Sequence, residues 1–211
     1  MTSSPWSCSS VLLLGGLLLA VASPLHAQRD DTLFGRRGVT RVGGFGGPVV
    51  KFSRVAGSDA VFSGGRGGAI FNRRFVVGGG GYGMVNQNIR TDFRFADGSR
   101  PALQLGYGGL EFEVITQPSR LAHATFSVLL GGGSAMYRSR SESGSTLATQ
   151  TLESTMFVAE PGVHLELNVT RWFRTGAGFG YRHVSGSDLP GVTDGGLSGG
   201  VGTLTFKFGA F

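Results

Sequence analysis

The chain has 211 residues, a length that suits one domain and a leader. Its 38 glycines disfavour helices and fit sheets with bends and close backbone approach. The net charge of +6 brings nucleic acid or an anionic membrane surface into view, but the arginines are scattered and no aromatic-basic RNA-binding signature occurs, which argues against nucleic acid.

The amino-terminal segment reads first. Val11–Ala22 is apolar, too short to span a bilayer, and is followed by Ser23-Pro24-Leu25-His26-Ala27. That is the shape of a secretory signal with cleavage after Ala27 or Ala22, although residues 1–10 carry no Lys or Arg. Cys8 lies before the apolar run, so a processed chain has no cysteine and no disulfide. The expected division is a signal at 1–27, a polar lead-in at 28–40 and one β domain at 41–211.

Within that domain the apolar residues recur at every second position, the period of strands. The first strand is expected at about 41–55, with Val42, Pro48, Val50 and Phe52 on one face and Arg41 and Lys51 on the other. After a connection at 56–59, the second at 60–71 sets Val61, Ala69 and Phe71 opposite Arg66. A tight turn at 72–74 leads to a Gly-rich third strand at 75–85, and a polar connection at 86–101 to a fourth at 102–116. That fourth strand changes phase between Leu103, Leu105, Tyr107 and Leu110, Phe112, Val114. A bulge at Gly108-Gly109 would reconcile the two and turn Glu111 and Glu113 inward. The fifth strand is expected at 122–137, and the polar stretch 138–153 reads as an exposed loop.

The strongest alternation follows. From Phe157 to Val169 the odd positions are apolar, Pro161 among them, whereas the even ones include Glu160, His164 and Glu166. After Thr170-Arg171-Trp172 the pattern resumes, with Phe173, Ala177, Phe179 and Tyr181 facing away from Arg174 and Arg182. A soluble sandwich would bury the greasy face and leave charges near strand ends. Charges at strand centre fit the polar interior of a membrane barrel instead. A loop at 185–196 and an eighth strand at 197–208 complete the count.

Eight strands with short turns at 72–74, 117–121 and 170–172, and longer connections at 86–101, 138–153 and 185–196, form an all-β, antiparallel up-and-down layout. With its signal leader, this hairpin rhythm and the closing Leu204-Thr205-Phe206-Lys207-Phe208-Gly209-Ala210-Phe211, the mature chain resembles the small eight-stranded outer-membrane barrels of the OmpA-domain/OmpX type. The resemblance implies short periplasmic turns, longer outer loops, a cell outer-membrane location, and outer-membrane lipid and the barrel-assembly machinery as partners. It also implies Phe211 as part of the assembly signal, although Leu204, Phe206 and Phe208 are out of phase with it. Trp172, Phe173, Tyr107, Tyr137 and Tyr181 fall near strand ends, where the aromatic girdles of this class sit.

The inward parity collects Arg41, Lys51, Arg66, Glu111, Glu113, Glu160, Glu166, Arg174, Arg182 and, at its margin, Lys207, with His164 between two of the glutamates. Near balance of sign predicts a paired ionic network filling the lumen and no selective pore. The expected role is therefore structural, or a surface interaction through the outer loops with an extracellular ligand.

No cofactor is expected. Gly78–Gly83 satisfies G-x-G-x-x-G, yet no helical period follows it to hold a pyrophosphate. The histidines His26, His123, His164 and His183 lack metal-site spacing. Two alternatives stay open. His183 and Ser185, two apart on a strand, resemble the His-x-Ser motif of outer-membrane lipid A deacylases, with Asp194 as the orienting acid. Reversed face assignment would instead give a soluble, lipocalin-like periplasmic barrel with an apolar ligand inside.

Overall fold

The computed structural model describes residues 41–86, 89–96, 98–140 and 149–211. The expected signal and lead-in at 1–40, and the tip 141–148 of the loop expected at 138–153, lie outside the described residues. The strands are β1 (Val42–Val55), β2 (Ser58–Phe71), β3 (Phe75–Met84), β4 (Ala102–Ile115), β5 (Ala122–Arg140), β6 (Thr149–Asn168), β7 (Phe173–Ser185) and β8 (Gly199–Ala210), with a single helical turn α1 (Asp194–Leu197) before β8. Each strand pairs antiparallel with its sequence neighbours, and β8 returns to β1 from Gly44↔Ala210 to Ser53↔Val201. The sheet is a closed eight-stranded antiparallel barrel with no free edge.

Period-2 alternation decides which way each strand turns. Along β6, Val158, Glu160, His164 and Glu166 are buried in the lumen, while Phe157, Val163, Leu165 and Leu167 face outward. The same parity rule sends Lys51 and Arg66 inward and Phe52 outward. Glycines allow the tight curvature of so small a barrel. A Cβ at Gly131 would overlap the Gly108 carbonyl of β4 and lie 2.5 Å from Gly109 Cα.

Four details depart from the sequence reading. The Gly108-Gly109 bulge is absent, because β4 pairs with β5 in unbroken register from Ala102↔Arg138 to Ile115↔Thr125. Leu103, Leu105 and Tyr107 instead point inward together with Glu111 and Glu113. The two apolar runs serve different environments: one fills the half of the lumen near the long connections, the other coats the outer wall. The 138–153 segment is mostly strand, since β5 and β6 pair out to Arg140↔Thr149 and extend past the end of β7. The first outer connection shrinks to Ala56-Gly57, whose φ values of 48° and 76° suit a two-residue hairpin turn.

Candidate functional site

The lumen is built in three layers. Toward the long-connection end, Phe62, Leu103, Leu105, Tyr107, Leu129, Tyr137, Val158 and Val184 form an apolar core. The connections fold back over it: Ile89, Leu189 and Leu197 belong to the same buried cluster. Tyr137 anchors them, since its Oη donates to Pro190 O at 2.9 Å and lies 2.7 Å from Thr91 Oγ1. The Phe93 ring stacks on Tyr137 with centroids 4.8 Å apart. That end of the lumen is therefore stoppered by the described parts of its own connections.

The middle layer is ionic. Lys51 Nζ lies 2.6 Å from Glu160 Oε1, and Tyr107 Oη donates to Glu160 Oε2 at 2.7 Å. Arg66 Nε lies 2.7 Å from Glu111 Oε2, and its Nη2 lies 2.5 Å from Glu113 Oε2. Lys207 Nζ bridges Glu113 Oε1 at 2.7 Å and Glu166 Oε1 at 2.5 Å. Tyr82 Oη donates to Glu111 Oε1, and His164 Nε2 lies 3.0 Å from Ser127 Oγ. The space left beside Lys51, Arg66, Glu160 and His164 is about 20 Å³, on the scale of a single water. Burial of so many charges is tolerable because each carboxylate meets a cation or a hydroxyl.

The third layer, at the short-turn end, packs Phe45, Ile70, Val76 and Ile115 against Phe211. Phe211 continues the inward parity of Thr203, Thr205 and Lys207, so its ring turns under the lumen and not onto the outer wall. This explains the phase difference: Leu204, Phe206 and Phe208 face outward.

Of the residues expected inside, Lys51, Arg66, Glu111, Glu113, Glu160, His164, Glu166, Arg174 and Arg182 are buried. Arg41 is not: it precedes β1 and is exposed, because inward parity positions a side chain in the lumen only where the strand is part of the barrel wall. Two of the buried arginines have no carboxylate partner among the described residues. Arg182 donates to the Leu197 and Arg54 carbonyls at 3.0 and 3.4 Å and to Ser53 Oγ at 3.2 Å, while Arg174 Cζ stacks 3.9 Å over the Phe211 ring. His123, absent from the sequence-derived network, sits with Nε2 3.6 Å from Glu166 Oε2. Its odd position in β5, on the face opposite Ala122 and Ala124, was the available signal. Of the aromatics expected in girdles, Trp172 and Tyr181 are on the outside, whereas Tyr107 and Tyr137 are buried because their hydroxyls find Glu160 and Pro190 within the barrel.

The His-x-Ser pair lies on β7 facing outward, with His183 exposed and Ser185 partly covered. Asp194 is committed elsewhere: its two carboxylate oxygens accept the Gly186 and Ser187 amides at 3.0 and 2.9 Å. It thereby ties the loop after β7 to α1. Gly78–Gly83 lies within β3. Among the described residues no group of three or more His, Cys, Asp or Glu side chains could hold a metal ion.

The outside wall is the second structural feature. From Val42 to Phe52 on β1 and from Phe157 to Leu167 on β6, no outward residue is charged. Outward charges begin at Arg54, Asp59, Arg138 and Glu153, all toward the long-connection end. Eleven residues span about 36 Å along a strand, or about 25 Å when tilted near 45°.

No family model matches the chain, and no curated protein matches it. Among solved structures it is similar to Neisserial surface protein A, with 12% identity over 79% of this chain and 96% of that one and a TM-score of 0.49. The N-terminal β-barrel domain of Pseudomonas aeruginosa OprF gives 13% identity over 79% and 96%, with a TM-score of 0.46. Ail, the attachment invasion locus protein of Yersinia pestis, gives 14% over 80% and 97%, with a TM-score of 0.42.

Proposed function

We propose that the protein is an outer-membrane β-barrel with a structural or surface-interaction role, held in the bilayer by its outer wall and not conducting through its lumen. The carrying observation is the charge-free outer band, whose height of about 25 Å matches the apolar belt of membrane barrels. In water, exposed Leu165, Phe179, Leu110 and Phe206 would form an apolar surface far larger than soluble proteins tolerate. The parity that puts Glu160 and Glu166 inside also argues against the lipocalin-like alternative, which needs an apolar lumen along β6. The ionic layer and the loop stopper support a closed channel. The short-turn end then faces the periplasm and the connections at 85–101 and 186–198, with the β5–β6 ribbon, face outward, where an extracellular ligand would be met. Export through the 1–27 signal and handling of β8 and Phe211 by the barrel-assembly machinery belong to the same reading.

The test is a gel run of carbonate-washed outer membranes, boiled and unboiled. A faster-migrating unboiled band in the washed membranes is the expected result; recovery in the soluble periplasmic fraction with no shift would overturn the reading.

A further inference from the structure

Among the described residues, the charged side chains at the short-turn end are of one sign. Arg41, Arg73, Arg74, Arg120, Arg171 and Arg174 lie in or beside its turns, and residues 72–74, 116–121 and 169–172 contain no Asp or Glu. The long-connection end, by contrast, mixes Arg54 and Arg138 with Asp59, Glu153 and Asp194.

Three of these arginines line one open recess. Arg73, Arg171 and Arg174 surround a space of about 520 Å³ walled by Pro118, Ser119 and Thr170 and floored by Phe211. Its walls are fixed, because Asn168 Nδ2 donates to the Pro118 and Arg120 carbonyls at 3.1 and 2.6 Å and so ties two turns together. Arg174 is only 4% exposed and forms no ion pair among the described residues. The nearest glutamates are already engaged, Glu113 by Arg66 and Lys207 and Glu166 by Lys207. Arg73 Nε is buried without a hydrogen-bond partner among the described residues. A nearly buried guanidinium held by a ring face, beside an unsatisfied Arg73 donor, is an anion site lacking its anion's charge within the described chain.

We propose that this recess binds the phosphate of an anionic lipid headgroup. Guanidinium forks match phosphate oxygens in pairs, which selects phosphate over a simple halide. Lipid is favoured over free phosphate by position. Exposed Val169 lines the recess, exposed Trp172 follows Arg171, and exposed Val42 shares a neighbouring hollow with Arg73 and Arg171, so the recess lies at the edge of the apolar band. An exposed tryptophan at that height is typical of the headgroup level. The proposal rests on the membrane reading above and adds a ligand to it.

The experiment uses the full chain in two steps. Flotation with phosphatidylcholine vesicles tests membrane insertion alone; a chain that stays at the bottom overturns both readings. Detergent-solubilised protein is then mixed with phosphatidylglycerol or phosphatidylcholine, and retained lipid is read by native mass spectrometry. Wild type is expected to retain phosphatidylglycerol selectively, and R73Q/R171Q to bind it about 30-fold more weakly, from a factor of about five per arginine at a charged surface. R120Q, outside the recess, is expected to behave as wild type, and the heat-modifiable shift reports that each variant is folded. Should R73Q/R171Q misfold, R73K/R171K, which keeps charge but loses the fork, is expected to show intermediate retention. Equal retention by R73Q/R171Q and wild type, equal loss by R120Q, or displacement of the lipid by equimolar inorganic phosphate would each overturn the proposal while leaving insertion intact.

Discussion

Lys51 on β1 meets Glu160 on β6 at 2.6 Å across the lumen, between strands that share no hydrogen bond in the barrel wall. The Lys51 ammonium also sits 3.3 Å from the centroid of the Tyr82 ring. This contact joins opposite walls of the barrel, where the sheet's own ladders connect only neighbours. Replacing Lys51 by Met would leave Glu160 buried beside Tyr107 with no cation, a loss of about 3–5 kcal/mol. The pair Lys51→Met with Glu160→Leu is expected to recover most of that loss. Urea unfolding of vesicle-inserted protein reads both, and a double variant no better than the single would disprove the coupling.

The glycines divide into two kinds by what a methyl group would meet. At Gly131 a Cβ collides with the Gly108 backbone of the adjacent strand, whereas at outward Gly81 nothing lies within 4 Å. Gly131→Ala is expected to destabilise by about 1–3 kcal/mol or to block folding. Gly81→Ala is expected to be neutral or to stabilise by about 0.4–1 kcal/mol through a stiffer unfolded chain. Folding yield and urea midpoints in the same vesicles measure the contrast.

Val163 lies near the middle of the outward band on β6, opposite Phe179 of β7. Val163→Arg is expected to cost about 2–4 kcal/mol in a bilayer, and Val42→Arg at the band's edge about 0–1 kcal/mol. A soluble barrel would show little difference between the two. The depth dependence of the cost, measured by equilibrium folding into vesicles, is therefore a second test of insertion.

Tyr137 holds the long connections over the lumen through Pro190 O and Thr91 Oγ1. Tyr137→Phe is expected to cost about 0.5–1.5 kcal/mol. Faster amide exchange should appear in residues 89–96 and 186–193, with the strands unaffected. Planar-bilayer recordings of the variant and of wild type are both expected to show no steady conductance, because the ionic layer beneath remains.

The hydrolase alternative makes its own prediction. With Asp194 bonded to the Gly186 and Ser187 amides, no orienting acid is bonded to His183 among the described residues. Ser185→Ala is expected to leave the acylation pattern of lipid A unchanged, as read by mass spectrometry of extracted lipid. A change in that pattern would restore the alternative.

The sequence by itself determined the strand count, the antiparallel hairpin order and the face of nearly every charged residue, because a two-residue period is local and survives whatever the strand packs against. Glu160, Glu166 and Arg66 lie buried on the faces that their parity assigns. Tertiary structure decided the rest. Whether Leu103 and Leu110 both belong on one face depended on the lumen being apolar at one end and ionic at the other, a distinction between layers that no single strand carries. Arg182 bonding to carbonyls, Lys207 bridging two glutamates and Arg174 stacking on Phe211 follow from which strands face each other across the closed barrel. Closure brings together side chains remote in sequence, and periodicity fixes only which face each one takes.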